Sequence, residues 1–135
     1  MITIILVSHS RKISDGLVDM ISEMIPSKNV TVLSAGGTED GGIGTDPMLI
    51  KTFIEAHQTC ERIYLFADIG SSIMSIETVL DLIDLELKAK CFYMDAPLVE
   101  GAFVASVQAM IDSSHEAILR EINNLKSGYR ESTIV

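Results

Sequence analysis

Short runs rich in Ile, Val and Leu alternate along this chain with longer segments whose apolar residues recur at three- and four-residue spacing. The first kind reads as buried strands and the second as amphipathic helices. Strands that alternate with helices close into a parallel sheet covered by those helices. The expected fold class is therefore α/β, a three-layer α/β/α arrangement around a mainly parallel sheet.

Strands are predicted over Ile2–Val7, Val30–Ala35, Arg62–Phe66 and Ala89–Met94. Ile13, Leu17, Met20, Ile21 and Met24 mark the apolar face of a first helix that should end before Pro26. A second helix has Asp46 as its N-cap and Pro47 at its first position, with Leu49, Ile50, Phe53 and Ile54 turned inward. Ile76, Val79, Leu80, Ile83 and Leu87 form the inner face of a third. A further helical stretch opens at Pro97 and runs to about Ile111, and a last one carries Ser114, Ala117, Ile118, Ile122 and Leu125. Met20, Met24, Met48, Met74, Met94 and Met110 fall on these faces and are expected in the core. No repeat or linker divides the 135 residues, so a single domain over 1–126 is expected, with 127–135 as a loose tail.

Composition removes several function classes. Nineteen acidic against ten basic residues, a net charge of -9, disfavour nucleic acid, which is held through clustered Lys and Arg. Hydrophobic residues make up 47% of the chain but are interrupted throughout by polar ones, which fits neither disorder nor a membrane span. The N-terminus enters a strand-like run without the regions of a secretory leader, and the cytoplasm is the expected location. Cys60 and Cys91 have no partner at metal-ligand spacing, so reduced, partly buried thiols and no metal site are expected.

Chemistry gathers after the strands. Ser8, His9 and Ser10 follow the first, a loop with five glycines between Gly36 and Thr45 follows the second, and Asp68 with Gly70, Ser71 and Ser72 follows the third. In a parallel sheet these turns converge on one edge, so three separate segments assemble one site. There the imidazole of His9 can act as a nucleophile, Asp68 can orient its ring, and the glycine-rich turns can hold a tetrahedral anion. Arg11 and Lys12 add positive charge for a phosphoryl group or for docking its donor. The glycine loop matches neither a dinucleotide fingerprint nor a Walker A sequence, which disfavours nucleotide binding. A receiver-like domain phosphorylated on Asp68 would want paired acidic residues after the first strand, where Ser8-His9-Ser10 stands. His57 and His115 have no comparable placement.

Ile5-Leu6-Val7-Ser8-His9-Ser10, Gly42-Ile43-Gly44-Thr45-Asp46 and Asp68-Ile69-Gly70-Ser71-Ser72, in that order, resemble the DhaM family. Its members are the phosphotransferase subunits of phosphoenolpyruvate-dependent dihydroxyacetone kinases. Their fold is similar to the mannose-type IIA domain of the sugar phosphotransferase system. The resemblance implies that His9 takes a phosphoryl group from phospho-HPr on Nε2 and passes it to ADP bound, with Mg, on DhaL. DhaK would hold the dihydroxyacetone, and this subunit would bind no cofactor itself. It further implies that Asp68 pairs with His9, that Ser10, Gly44, Thr45, Gly70, Ser71 and Ser72 contact phosphate, and that Arg11 and Lys12 serve docking. A homodimer is implied as well. Some members continue into HPr-like and enzyme-I-like domains, so a chain of this length is expected to rely on free HPr. Two other functions suit the same histidine: the IIA component of a mannose-type transporter, and a regulatory module switched by phosphorylation.

Overall fold

The computed structural model describes the backbone of residues 1–131 and the side chains of residues 1–128. Strands β1 (Ile2–Ser8), β2 (Val30–Gly36), β3 (Arg62–Ala67) and β4 (Cys91–Tyr93) form one parallel sheet in the order β2-β1-β3-β4. Helices α1 (Arg11–Met24), α2 (Pro47–Ala56), α3 (Gly70–Leu82), α4 (Leu85–Lys88), α5 (Leu98–Ile111) and α6 (His115–Glu131) complete the chain. β1 is central and buried along its whole length, which is why it reads as a continuous apolar run. Its alternate residues serve two cores. Ile2, Ile4 and Leu6 meet α1, α5 and α6 through Leu17, Ile21, Ala102, Ala105 and Ile118; Ile5 and Val7 meet α2 and α3 through Ile50, Ile54, Ile76 and Val79. The three layers predicted are those observed.

β2 pairs on one side of β1 and β3 on the other, so the chain leaves β1 in one direction and returns to its opposite flank. Such a switch point opens a crevice at the carboxyl end of the central strand. Local chemistry fixes where the helices begin. Asp46 accepts the Met48 and Leu49 N–H groups at 3.0 and 3.4 Å, with Pro47 in the first turn, and the Ser114 hydroxyl accepts the Ala117 N–H at 3.3 Å.

Several expectations need correction. The third helix does not run through to Leu87: it ends at Leu82, Ile83 is extended (φ -94°, ψ 164°), and α4 is a separate turn. Ile83 and Leu87 remain buried, because a helix, a break and a turn present the same spacing to the core as one continuous helix. β4 is shorter than predicted, since the Ala89 and Lys90 N–H groups bond back to Leu85 and Leu87 and belong to the end of α4. α1 turns Ser14, Leu17 and Ile21 inward, leaving Ile13, Met20 and Met24 exposed. Of the six methionines expected in the core only Met94 is buried; Met48, Met74 and Met110 are exposed on α2, α3 and α5. α6 continues to Glu131, so residues 127–131 are helical where a loose tail is expected, and 132–135 lie outside the described residues.

Cys60 and Cys91 are buried free thiols. His57 Nδ1 donates to the Phe53 carbonyl at 2.8 Å, and His115 packs on Phe92 with Nδ1 2.8 Å from the Tyr64 hydroxyl. Both are structural placements, away from the sheet edge that carries His9.

One buried side chain is left unmatched. The Thr3 hydroxyl, fully buried in β1, has no hydrogen-bond partner among the described residues. A hydroxyl held dry without a partner costs about 1–3 kcal/mol, and Val has the same shape without it. Thr3→Val should raise the unfolding free energy by about 1 kcal/mol. Urea denaturation would show this as a higher midpoint at unchanged m-value.

Candidate functional site

β1 ends in Ser8 and delivers His9 to the switch-point crevice; β3, paired directly beside it, ends one residue before Asp68. The two side chains meet because the strands are in register, Val7 opposite Ala67. His9 Nδ1 lies 3.0 Å from Asp68 Oδ1, and both side chains are about one-fifth exposed, at 21% and 18%. The carboxylate can only accept, so Nδ1 carries the proton and the lone pair is on Nε2. Ser71 Oγ stands 2.5 Å from Nε2 and donates to that lone pair.

Asp68 accepts five hydrogen bonds. Oδ2 takes the Ser8 hydroxyl at 3.1 Å and the His9 backbone N–H at 2.9 Å; Oδ1 takes the His9 ring, the Ile69 N–H at 2.7 Å and the Ser72 hydroxyl at 2.8 Å. Burial pushes this carboxyl up, but the bonds from the His9 backbone, Ser72, the His9 ring and Ile69 together outweigh it and hold it down to about 2. Asp68 is therefore a fixed anion beside the imidazole at any neutral pH.

The other residues nominated from sequence divide into two groups. Ser10 precedes α1 and its hydroxyl has no partner among the described residues, while Gly70 and Ser71 open the thirteen-residue α3 with N–H groups that are likewise unpartnered there. Of these segments the start of α3 is the one in contact with Nε2, through the Ser71 hydroxyl, and its N-terminus adds partial positive charge there. Gly44, Thr45 and Ser72 are engaged inward instead. The Gly44 N–H donates to the His9 carbonyl at 2.9 Å, Thr45 Oγ1 pairs with Ser75 Oγ at 2.7 Å, and Ser72 Oγ bonds Asp68 and lies 3.1 Å from His9 Nδ1. In this geometry these bonds brace the site. Lys12 is exposed on the first turn of α1, whereas the Arg11 guanidinium folds back onto the Gly36 and Thr38 carbonyls.

Two contributors were not nominated. Ser8 is fully buried, and its hydroxyl joins Asp68 to the Ser10 N–H. Ser75 lies four residues beyond Ser71, one turn along α3, so helical spacing from Gly70 places it on the site's face. Among the described residues no group of three His, Cys, Asp or Glu side chains could hold a metal ion, and no helix is long and apolar enough to cross a membrane.

The family model described as EIIA-man, PTS system fructose IIA component, matches residues 3–119. The chain is 51% identical over 125 residues to the PEP-dependent dihydroxyacetone kinase 2, phosphoryl donor subunit DhaM, of Listeria innocua, which covers 93% of this chain and 99% of that protein. It belongs to the EIIA-man family, in its DhaM branch. The PTS-dependent dihydroxyacetone kinase, phosphotransferase subunit DhaM, of Lactococcus lactis is 33% identical, over 90% of this chain and 94% of its own length. Against the DhaM of Escherichia coli the identity is 29%, and the match spans 97% of this chain but 28% of that longer protein. The crystal structure of a protein of unknown function superposes with a TM-score of 0.86 at 39% identity, covering 91% of this chain and 93% of the other.

The depressed carboxyl has a stability consequence. Asp68 falls from an ordinary value of 3.8 to about 2, so its contribution is fully present above pH 4 and is lost as pH drops through that interval. Asp68→Asn puts an amide NH2 where donors already crowd. It should cost about 2 kcal/mol at pH 7 and flatten the acid limb between about pH 4 and pH 2. Chemical denaturation of both proteins across that range is the measurement.

Proposed function

We propose that this chain is the phosphoryl donor subunit of a phosphoenolpyruvate-dependent dihydroxyacetone kinase, carrying the phosphoryl group on His9 Nε2. One observation carries the reading: Asp68 holds the proton on Nδ1, so the nucleophilic lone pair of Nε2 faces the crevice. The DhaM name of relatives matched along their whole length supports the kinase over other uses of such a histidine.

Phospho-HPr is the donor in this reading. The Nε2 lone pair attacks its phosphorus, the donor's P–N bond breaks as the new one forms, and the Nδ1 proton stays on the ring, hydrogen-bonded to the Asp68 carboxylate. Ser71 must release Nε2 for the bond to form, and its hydroxyl then turns to a phosphoryl oxygen beside the Gly70 and Ser71 N–H groups. Ser10 is the second hydroxyl assigned to the phosphoryl oxygens. In the second step the terminal oxygen of ADP, held with Mg on DhaL, attacks the same phosphorus and returns Nε2 to its free state. The energy already resides in the P–N bond, so alignment and charge neutralisation are what the proteins supply. DhaK then uses the ATP formed on DhaL to phosphorylate dihydroxyacetone. We assign the protein to the cytoplasm as a homodimer, with Lys12 on the docking face.

Intact-protein mass spectrometry after incubation with phosphoenolpyruvate, enzyme I and HPr should find one acid-labile phosphoryl group, which DhaL with ADP removes. His9→Gln should still fold, since the core is untouched, and gain no mass. Asp68→Asn should accept the group about a hundredfold more slowly, as expected when the orienting partner of a catalytic histidine is weakened. A phosphoryl group that forms but persists with DhaL and ADP moves the transporter IIA function ahead, with a IIB protein as acceptor.

A further inference from the structure

The glycine-rich loop between β2 and α2 is tied to the His9 segment at every turn. The Gly37 N–H donates to the Ser8 carbonyl at 3.0 Å and the Gly44 N–H to the His9 carbonyl at 2.9 Å, so the loop grips both sides of the residue that carries the imidazole. Within the loop, the Thr38 N–H donates to the Gly42 carbonyl and the Gly41 N–H to the Thr38 carbonyl, the Gly42 N–H is shared between Thr38 Oγ1 and Asp40 Oδ1, and Asp40 also accepts the Thr38 hydroxyl. The loop is thus cross-braced by its own hydrogen bonds.

Arg11 adds a side-chain tie from α1 to these backbone bonds. Its Nη2 donates to the Thr38 carbonyl at 3.1 Å and its Nε to the Gly36 carbonyl at 3.4 Å, from the first position of α1. Close packing supports the same attachment. A Cβ on Gly36 would stand 2.6 Å from the Ser10 carbonyl oxygen and 2.9 Å from Arg11 Cα; on Gly37, at φ +75°, it would meet Arg11 Cβ at 3.3 Å. Two consecutive glycines let the loop lie directly against the turn that follows His9.

We propose that Arg11 is a positioning residue: its guanidinium fork clamps the glycine-rich loop onto the Ser8–His9 backbone and thereby sets where Nε2 points. The inference rests on His9 being the phosphorylated residue, and it assigns to Arg11 an inward role in place of partner docking. Asp68 holds the ring and the N–H of His9, and the clamped loop holds its carbonyl, so the imidazole is fixed from both sides of its own peptide unit. A planar fork can serve two carbonyls at once; the single ammonium of Lys keeps the charge but not that geometry.

The test compares the wild type with Arg11→Ala and Arg11→Lys, using two readouts that need no partner protein. Amide hydrogen exchange by NMR should speed up about tenfold at Gly37 and Gly44 in both variants, with Ile5 and Leu65 in the sheet unchanged. Phosphorylation by potassium phosphoramidate, in which the small donor's P–N bond breaks with release of ammonia as the Nε2–P bond forms, should slow about tenfold in both. Unchanged exchange at the two glycines overturns the clamp. Faster exchange with an unchanged phosphorylation rate overturns the positioning role, and full recovery in Arg11→Lys shows that charge, not the fork, is what matters. The exchange arm is independent of phosphorylation, so a wild type that takes no phosphoryl group on His9 removes the phosphohistidine reading while the clamp is judged separately.

Discussion

The Asp68 carboxylate is the interaction around which the active edge is organised. It sits where β1 and β3 end side by side, and it accepts from Ser8, the His9 backbone, the His9 ring, Ile69 and Ser72. A carboxylate with that many donors stays ionised despite partial burial, and each charged bond is worth about 1.5–3 kcal/mol where the other choice is an unmet group. The same bonds do two things at once. They close the polar ends of two central strands, and they fix one imidazole tautomer with Nε2 outward. Stability and chemistry at this edge therefore cannot be varied independently.

The topology explains why such a site forms here. β1 is flanked by β2 and β3, so three strand-to-helix turns meet at its carboxyl end. The apolar interior on both faces of β1 holds that end rigid, while the residues beyond Ser8 leave the core and become free to do chemistry. α3 begins directly after Asp68 and Ile69, which brings Ser71 and Ser72 to opposite nitrogens of the same ring: Ser71 to Nε2, Ser72 to Nδ1. Adjacent residues at a helix start thus acquire different functions through a rotation of about 100° per residue.

Much of this was legible in the sequence because the signals were local. The apolar runs of β1 and β3 and the polar residues that end them specify His9 and Asp68 without any knowledge of pairing order. The Asp46-Pro47 start of α2 is equally local. What was not legible depends on rotation or on long-range contact. Ile13, Leu17 and Met20 all fit a helical period, yet α1 turns Ser14 inward, because the small side chain is needed where Gly36 and the Ser34 hydroxyl approach. The break at Ile83 is hidden because both halves of the segment keep burying the same residues. Gly44, Thr45 and Ser72 carry the chemistry of phosphate contacts, and only the fold shows their polar groups turned toward His9, Ser75 and Asp68.

That inward turn bears on how a carrier should be built. In the proposed function, a phosphoryl group on Nε2 has to be held firmly enough to survive between encounters and loosely enough to leave in either direction. A cradle that held the phosphoryl oxygens more tightly in the loaded carrier than in the transition state would raise the barrier to the group's departure. Here the one side chain in contact with Nε2 is Ser71, at the start of α3. The remaining polar residues immobilise the imidazole itself. Precision is invested in the nitrogen and its direction, and the charge on the outer oxygens is left for each partner to neutralise in turn, which keeps the group transferable between a donor and an acceptor of different structure.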